Sequence, residues 1–261
     1  MALGDSFTEG LMDDLRPDGR HRGWADRVAD ALAAAAVREG DDGIDYANLA
    51  VRGRLVRQVM DEQVPAAVAL RPDLASIAVG VNDTLRASFD LDAVATALEG
   101  GVRSLRSSGA DVLLFAFGNP VRRSRLMGTV RDRIRGYNSA VEAIARHYDC
   151  ALVSFWDVAV YDDPRLWADD WLHLSPLGHA VTAECVLSTL GLGDDLWRTP
   201  LEPEARAPLP SRVAGDARWV SGHLAPWVLR RLRGESSGDA VLAKDPAWVR
   251  LPAVAGDEWA K

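Results

Sequence analysis

A chain of 261 residues, 48% of them hydrophobic, carries enough apolar material for one large core or two modest ones and is too hydrophobic for a disordered protein. Its formal net charge of −8 argues against a general nucleic-acid binder, and no apolar run approaches the roughly 20 residues needed for a membrane span. The only two cysteines, Cys150 and Cys185, are too few and too far apart for a disulfide scaffold or a metal framework.

In chain order, Met1-Ala2-Leu3 predict a short first strand that runs into Gly4-Asp5-Ser6. No charged-then-apolar leader precedes it, so no signal peptide is expected and a cytoplasmic location is implied. After the polar loop "RPDGRHRG" at 16–23, an alanine-rich helix is predicted over 24–38, with Trp24, Val28 and Leu32 on one face. A strand follows at 44–48. A helix follows at 55–70, which Pro65 should kink or divide. "LASIAV" at 74–79 is a buried strand, and 90–107 is a helix with Asp90 as its N-cap. "DVLLFAF" at 111–117 is the most apolar strand. Then come a helix at 130–147, a strand at 151–155 and a helix at 176–190.

Short apolar strands separated by helices predict an α/β fold with a parallel sheet covered on both faces. In such sheets ligands sit beyond the carboxyl ends of the strands. The informative residues are therefore those directly after each strand: Asp5-Ser6, the stretch from Asn48 to Gly53, the stretch from Gly80 to Asp83, Gly118-Asn119-Pro120, and Trp156-Asp157.

The character of the chain changes past residue 193. "LWRTPLEPEARAPLPS" reads as an extended connector rich in proline and charge. An amphipathic stretch at 212–233 follows, containing Trp219 and Trp227 with Pro226 as a break, and "GESSGD" at 234–239 is a turn. The division is thus a domain at 1–193 and a C-terminal extension at 194–261. The extension is expected to pack on the core or on a second subunit of a homo-oligomer, with a membrane-surface helix as the alternative.

Chemistry at Ser6 requires a base, because a serine hydroxyl is a weak nucleophile until its proton is removed. Of five histidines, His173 stands out, because Asp170 precedes it by three residues in "DDWLHLSPLGH". On a loop this spacing lets the carboxylate reach one ring nitrogen while the other faces outward. Donors for a developing oxyanion are available after three different strands: the Ser6 N–H, the Gly53 N–H and the Asn82 side-chain amide. A metal site built from Asp169, Asp170, His173 and His179 would leave Ser6 and Asn82 without a role. Asp13, Asp14 and Asp18 lack the spacing of an EF-hand loop. His179 and His147 read as structural helix residues, and Asp5 and Asp83 as residues that pin turns. Arg52 and Arg54 are either surface charges or contacts for an acidic or sugar-bearing substrate. Trp156 and Trp171 are candidates for lining a pocket. No G-x-S-x-G elbow, phosphate loop, dinucleotide fingerprint or H-E-x-x-H motif occurs.

Four blocks in order, Gly4-Asp5-Ser6, Asn48 with Gly53, Gly80-Val81-Asn82-Asp83 and Asp170-Trp171-Leu172-His173, resemble those of the SGNH hydrolase superfamily, also called GDSL esterases and lipases. The wording of "LAVRGR" and "HLSPLGH" is similar to actinobacterial members, and the resemblance covers about residues 1–192. It implies a flavodoxin-like three-layer α/β/α fold with a five-stranded parallel sheet. It also implies a Ser6-His173-Asp170 triad, an oxyanion hole of Ser6, Gly53 and Asn82, no metal and no cofactor. Phe7 stands where the family's name motif has leucine. The resulting expectation is a serine esterase of small, short-acyl carboxylic esters. The alternative is a binding or assembly protein of the same fold that uses the Arg/Trp-rich tail.

Overall fold

The computed structural model describes residues 1–122, 128–202, 238 and 240–251. The amphipathic stretch expected at 212–233, and His223 within it, lie outside the described residues. In chain order the main elements are β1 (Ala2–Gly4), α1 (Ser6–Glu9), α2 (Gly23–Arg38), β2 (Ile44–Asn48), α3 (Val56–Gln58) and α4 (Val64–Leu70). They continue with β3 (Leu74–Ala78), α5 (Val81–Thr84), α6 (Leu91–Ser107), β4 (Asp111–Ala116), α7 (Gly128–His147), β5 (Ala151–Ser154), α8 (Pro176–Thr189) and β6 (Asp245–Leu251).

The strands form one sheet in the order β5-β4-β3-β1-β2-β6. The first five are parallel, as their helical crossovers require. Helices α2 and α8 pack together on one face, and α4, α6 and α7 cover the other. Burial on both faces explains the uninterrupted apolar run of β4, in which all five residues after Asp111 are buried. The expectation of five strands is corrected to six, because residues 245–251 of the extension add an antiparallel strand against β2. Pro246 and the charged Asp245 and Arg250 gave that stretch no strand signature, yet proline is tolerated at a sheet edge, where a missing N–H interrupts no central ladder.

Pro65 divides its helix as expected. A π-helical turn, Val59–Gln63, separates α3 from α4 and so absorbs the backbone mismatch that a proline imposes. Asp90 caps α6, its side chain accepting from the Ala93 N–H at 3.1 Å. Among the described residues no helix is long and apolar enough to cross a membrane.

Two features of the core set the height of the first turn above the sheet. Gly4 ends β1 at φ +148°, and a Cβ there would collide with the Ala78 carbonyl on β3. Phe7, one residue past Ser6, packs among Trp24, Phe115 and Phe155 at ring separations of 5.6, 5.8 and 6.1 Å. Such aromatic pairs are worth about 0.5–1.5 kcal/mol each beyond burial. Phe7 therefore anchors the turn that presents Ser6.

Candidate active site

Ser6 is the first residue of α1, directly beyond the carboxyl end of β1. Asp5 caps that short helix, its Oδ1 accepting from the Phe7 N–H at 3.0 Å. The Ser6 N–H, at the head of the helix, has no acceptor within it. The end of β1 is held by Gln63, whose side-chain amide accepts from Gly4 N at 2.8 Å and donates to Gly4 O at 2.9 Å.

Across the sheet edge, the loop after β5 is closed by a bridge between Trp167 and Leu174. Within it Asp170 Oδ1 accepts from the backbone N–H groups of Leu172 (3.0 Å) and His173 (2.9 Å). Asp170 Oδ2 lies 2.5 Å from His173 Nδ1, and His173 Nε2 lies 3.0 Å from Ser6 Oγ. Burial alone would raise the Asp170 carboxyl, but the His173 ring and the two backbone donors outweigh it and hold the group down at about 2. The carboxylate is therefore ionised at neutral pH. His173 donates to it through Nδ1–H, which leaves Nε2 free to accept from the Ser6 hydroxyl. Residues 167 positions apart in sequence thus meet in one hydrogen-bonded line.

Asn82 opens the turn after β3. Its Nδ2 donates to Asp5 Oδ2 at 3.0 Å and, more weakly, to Arg54 O at 3.3 Å. Burial pushes the Asp5 carboxyl up to about 6, against the lowering effect of Phe7 N–H, His173 and Asn82. Gly53 follows β2 at φ +75°, and its loop is tied to β1 by the Val51 N–H to Gly4 O bond of 3.2 Å.

Ser6, Asn82 and His173 line one cavity of about 100 Å3, whose walls are mostly apolar: Phe7, Val81, Phe117, Ile134, Phe155 and Trp167 among them. Asp170 stands behind His173, and Gly53 is outside the cavity lining. The two tryptophans considered from sequence, Trp156 and Trp171, do not line it. Trp156 lies under the Arg131 guanidinium at 5.9 Å, and Trp171 is 44% exposed. Trp167 takes that place instead, and neither spacing nor a motif marked it.

Arg52 and Arg54 are engaged by the protein itself. Glu9 accepts from the Arg52 backbone N–H at 2.6 Å and from its guanidinium, and Arg54 pairs with Glu62 at 3.0 Å. Glu9 thus links the Ser6 turn to the loop of Gly53, a coupling for which the sequence carries no signal. His179 is buried, with Nδ1 accepting from Trp24 N at 3.2 Å and Nε2 donating to Leu11 O at 3.1 Å. Asp83 pins its turn to α3 by accepting from Val56 N at 3.1 Å.

The fold has solved counterparts. A variant of Axe2, an acetyl xylan esterase from Geobacillus stearothermophilus, is 22% identical, with a TM-score of 0.61 over 74% of this chain and 94% of that one. TesA is 25% identical, with a TM-score of 0.57 over 72% and 96%. The psychrotrophic esterase EstA from Pseudoalteromonas sp. is 18% identical, with a TM-score of 0.56 over 73% and 94%. No curated protein matches the chain. The model of the GDSL-like lipase/acylhydrolase family matches residues 2–181, well over half the chain and all four blocks from Gly4 to His173. The chain belongs to the GDSL-like lipase/acylhydrolase family.

Proposed function

We propose that this carboxylic ester hydrolase is a serine esterase in which Ser6 is the nucleophile, His173 the general base and acid, and Asp170 the residue that orients the imidazole. The observation that carries the reading is the unbroken line from Ser6 Oγ through the His173 ring to Asp170, at 3.0 and 2.5 Å. Ser6 Oγ attacks the acyl carbon while its proton passes to His173 Nε2. The imidazolium then returns that proton to the departing alkoxide. Water, deprotonated by the same nitrogen, cleaves the acyl-enzyme.

The negative charge that builds on the carbonyl oxygen is met by the Ser6 N–H, the Gly53 N–H and the Asn82 amide. Asn82 serves by exchanging its 3.3 Å bond to Arg54 O for the oxyanion, while Asp5 keeps the amide in orientation. Acyl length follows from space. An apolar cavity of about 150 Å3 holds benzene, so one of about 100 Å3 suits acyl groups of about two to four carbons.

Turnover of p-nitrophenyl esters from acetate to palmitate, by wild type and Ser6→Ala, tests this. Activity should peak at the short end and vanish in the variant, and a fluorophosphonate should attach at Ser6. Activity that persists in Ser6→Ala, or a label on another residue, would overturn the assignment.

A further inference from the structure

Lys244 is one of two lysines in the chain and has no part in the reaction above. It immediately precedes β6 and its side chain is only 3% exposed. Its ammonium donates to the carbonyls of Glu9 (2.8 Å), His21 (3.0 Å) and Arg22 (2.5 Å) and to Asp26 Oδ2 (2.6 Å). A buried ammonium is costly unless it is paired and hydrogen-bonded, and here it is both.

The choice of partners is informative. Glu9 ends α1, the helical turn headed by Ser6, and Arg22 immediately precedes α2. The next residues, Gly10 and Gly23, have φ of +91° and +83° and cross so closely that a Cβ on either would overlap the Cα of the other. Lys244 thus ties together the carbonyls that precede both glycines of this crossing. The same turn is gripped from the β2 side. Asn48 Nδ2 donates to Thr8 O at 3.0 Å, and Tyr46 OH donates to Asp26, the carboxylate that pairs with Lys244. A second contact comes from the same part of the chain: Gly238 lies so near the Arg52 carbonyl that a Cβ there would overlap it, and Arg52 precedes Gly53.

We propose that Lys244 is a positioning residue of the active site. From outside the family-matched stretch it fixes the turn that carries Ser6 at the height where Oγ meets His173. The proposal rests on Ser6 being the nucleophile.

Lys244→Met and Leu251→Ala are to be compared with wild type in p-nitrophenyl acetate turnover, fluorophosphonate labelling rate at Ser6, and circular dichroism. Leu251 pairs with Ile44 at the far end of the same strand. Because a displacement of about 1 Å at a reacting group costs on the order of 100-fold, folded Lys244→Met should lose about 10- to 100-fold in kcat and in labelling rate. KM should change less than about threefold, since acyl-pocket contacts are untouched. Leu251→Ala should keep both rates near wild type.

Wild-type rates in folded Lys244→Met, or equal losses in both variants, overturn the proposal. If Lys244→Met is recovered unfolded, Lys244→Arg decides. Its planar fork cannot aim donors at oxygens that converge on one atom, so the folded protein should show the same loss, and unchanged rates overturn the idea. Wild type without any Ser6-dependent turnover fails at the earlier step and removes the nucleophile assignment itself.

Discussion

Replacing His179 by asparagine should remove a pH dependence of stability whose size can be worked from its site. The His179 ring must be neutral, because Nδ1 accepts from the Trp24 N–H and only Nε2 carries a proton, given to Leu11 O. Burial is the main cause that pulls its folded pKa down to about 4 from an ordinary 6.5, with nearby Asp13 opposing. The unfolded chain therefore takes up this proton first as pH falls. Stability is fully present above about 6.5 and is lost progressively towards 4. Integrated over those two values, the loss is about 1 kcal/mol at pH 5.5 and about 2–3 kcal/mol at pH 4.5. Asp5 and Asp26, whose burial lifts their carboxyls to about 6, bind protons more readily when folded and act in the opposite sense. Hence the curve for wild type alone is not diagnostic, and the difference between variants is. Urea unfolding of wild type and His179→Asn at pH 7.5, 6.5, 5.5 and 4.5 gives that difference. The variant should be the less stable at pH 7.5, having lost at least one of the two ring bonds, and the gap should narrow by about 2–3 kcal/mol by pH 4.5. A gap constant across this range would refute the reasoning that His179 is held neutral.

Asp170→Asn should lower kcat by roughly 10,000-fold at pH 7 with little change in folding, because an amide cannot hold the imidazole in the required tautomer; steady-state kinetics with p-nitrophenyl acetate measures it. Asn82→Ala should cost on the order of 100- to 1,000-fold in kcat and leave Asp5 without its amide donor, which a parallel titration of activity against pH would register. Ile134→Ala, which enlarges the buried wall of the cavity, should raise the ratio of hexanoate to acetate turnover while costing about 2–5 kcal/mol in urea unfolding.

The rule that ligands gather beyond strand carboxyl ends made much of this site legible. Ser6, Asn82 and the Asp170–His173 pair each follow a strand, and each belongs to a short local pattern with a chemical reason behind it. The apolar runs of β3 and β4 were equally plain, because strands buried on both faces carry no polar alternation. What local sequence does not announce is non-local. The Glu9–Arg52 link is a contact between two loops, and neither residue has a neighbour in sequence that announces it. Trp167 reached the cavity through the fold of its loop, while Trp171, inside the Asp170–His173 motif, and Trp156, just after β5, did not. β6 was hidden by Pro246 and by its charges, which suit an edge strand and a solvent-exposed connector equally well.

The antiparallel edge carries a kinetic consequence. Lys244 and its partner Asp26 are 218 positions apart. A nascent chain emerging at about 5–20 residues per second therefore displays β2 with bare N–H and C=O groups for tens of seconds before its neighbour arrives. An open strand of that kind recruits other polypeptides, so the vulnerable interval for aggregation is the time between synthesis of the first βαβ unit and delivery of residues 245–251.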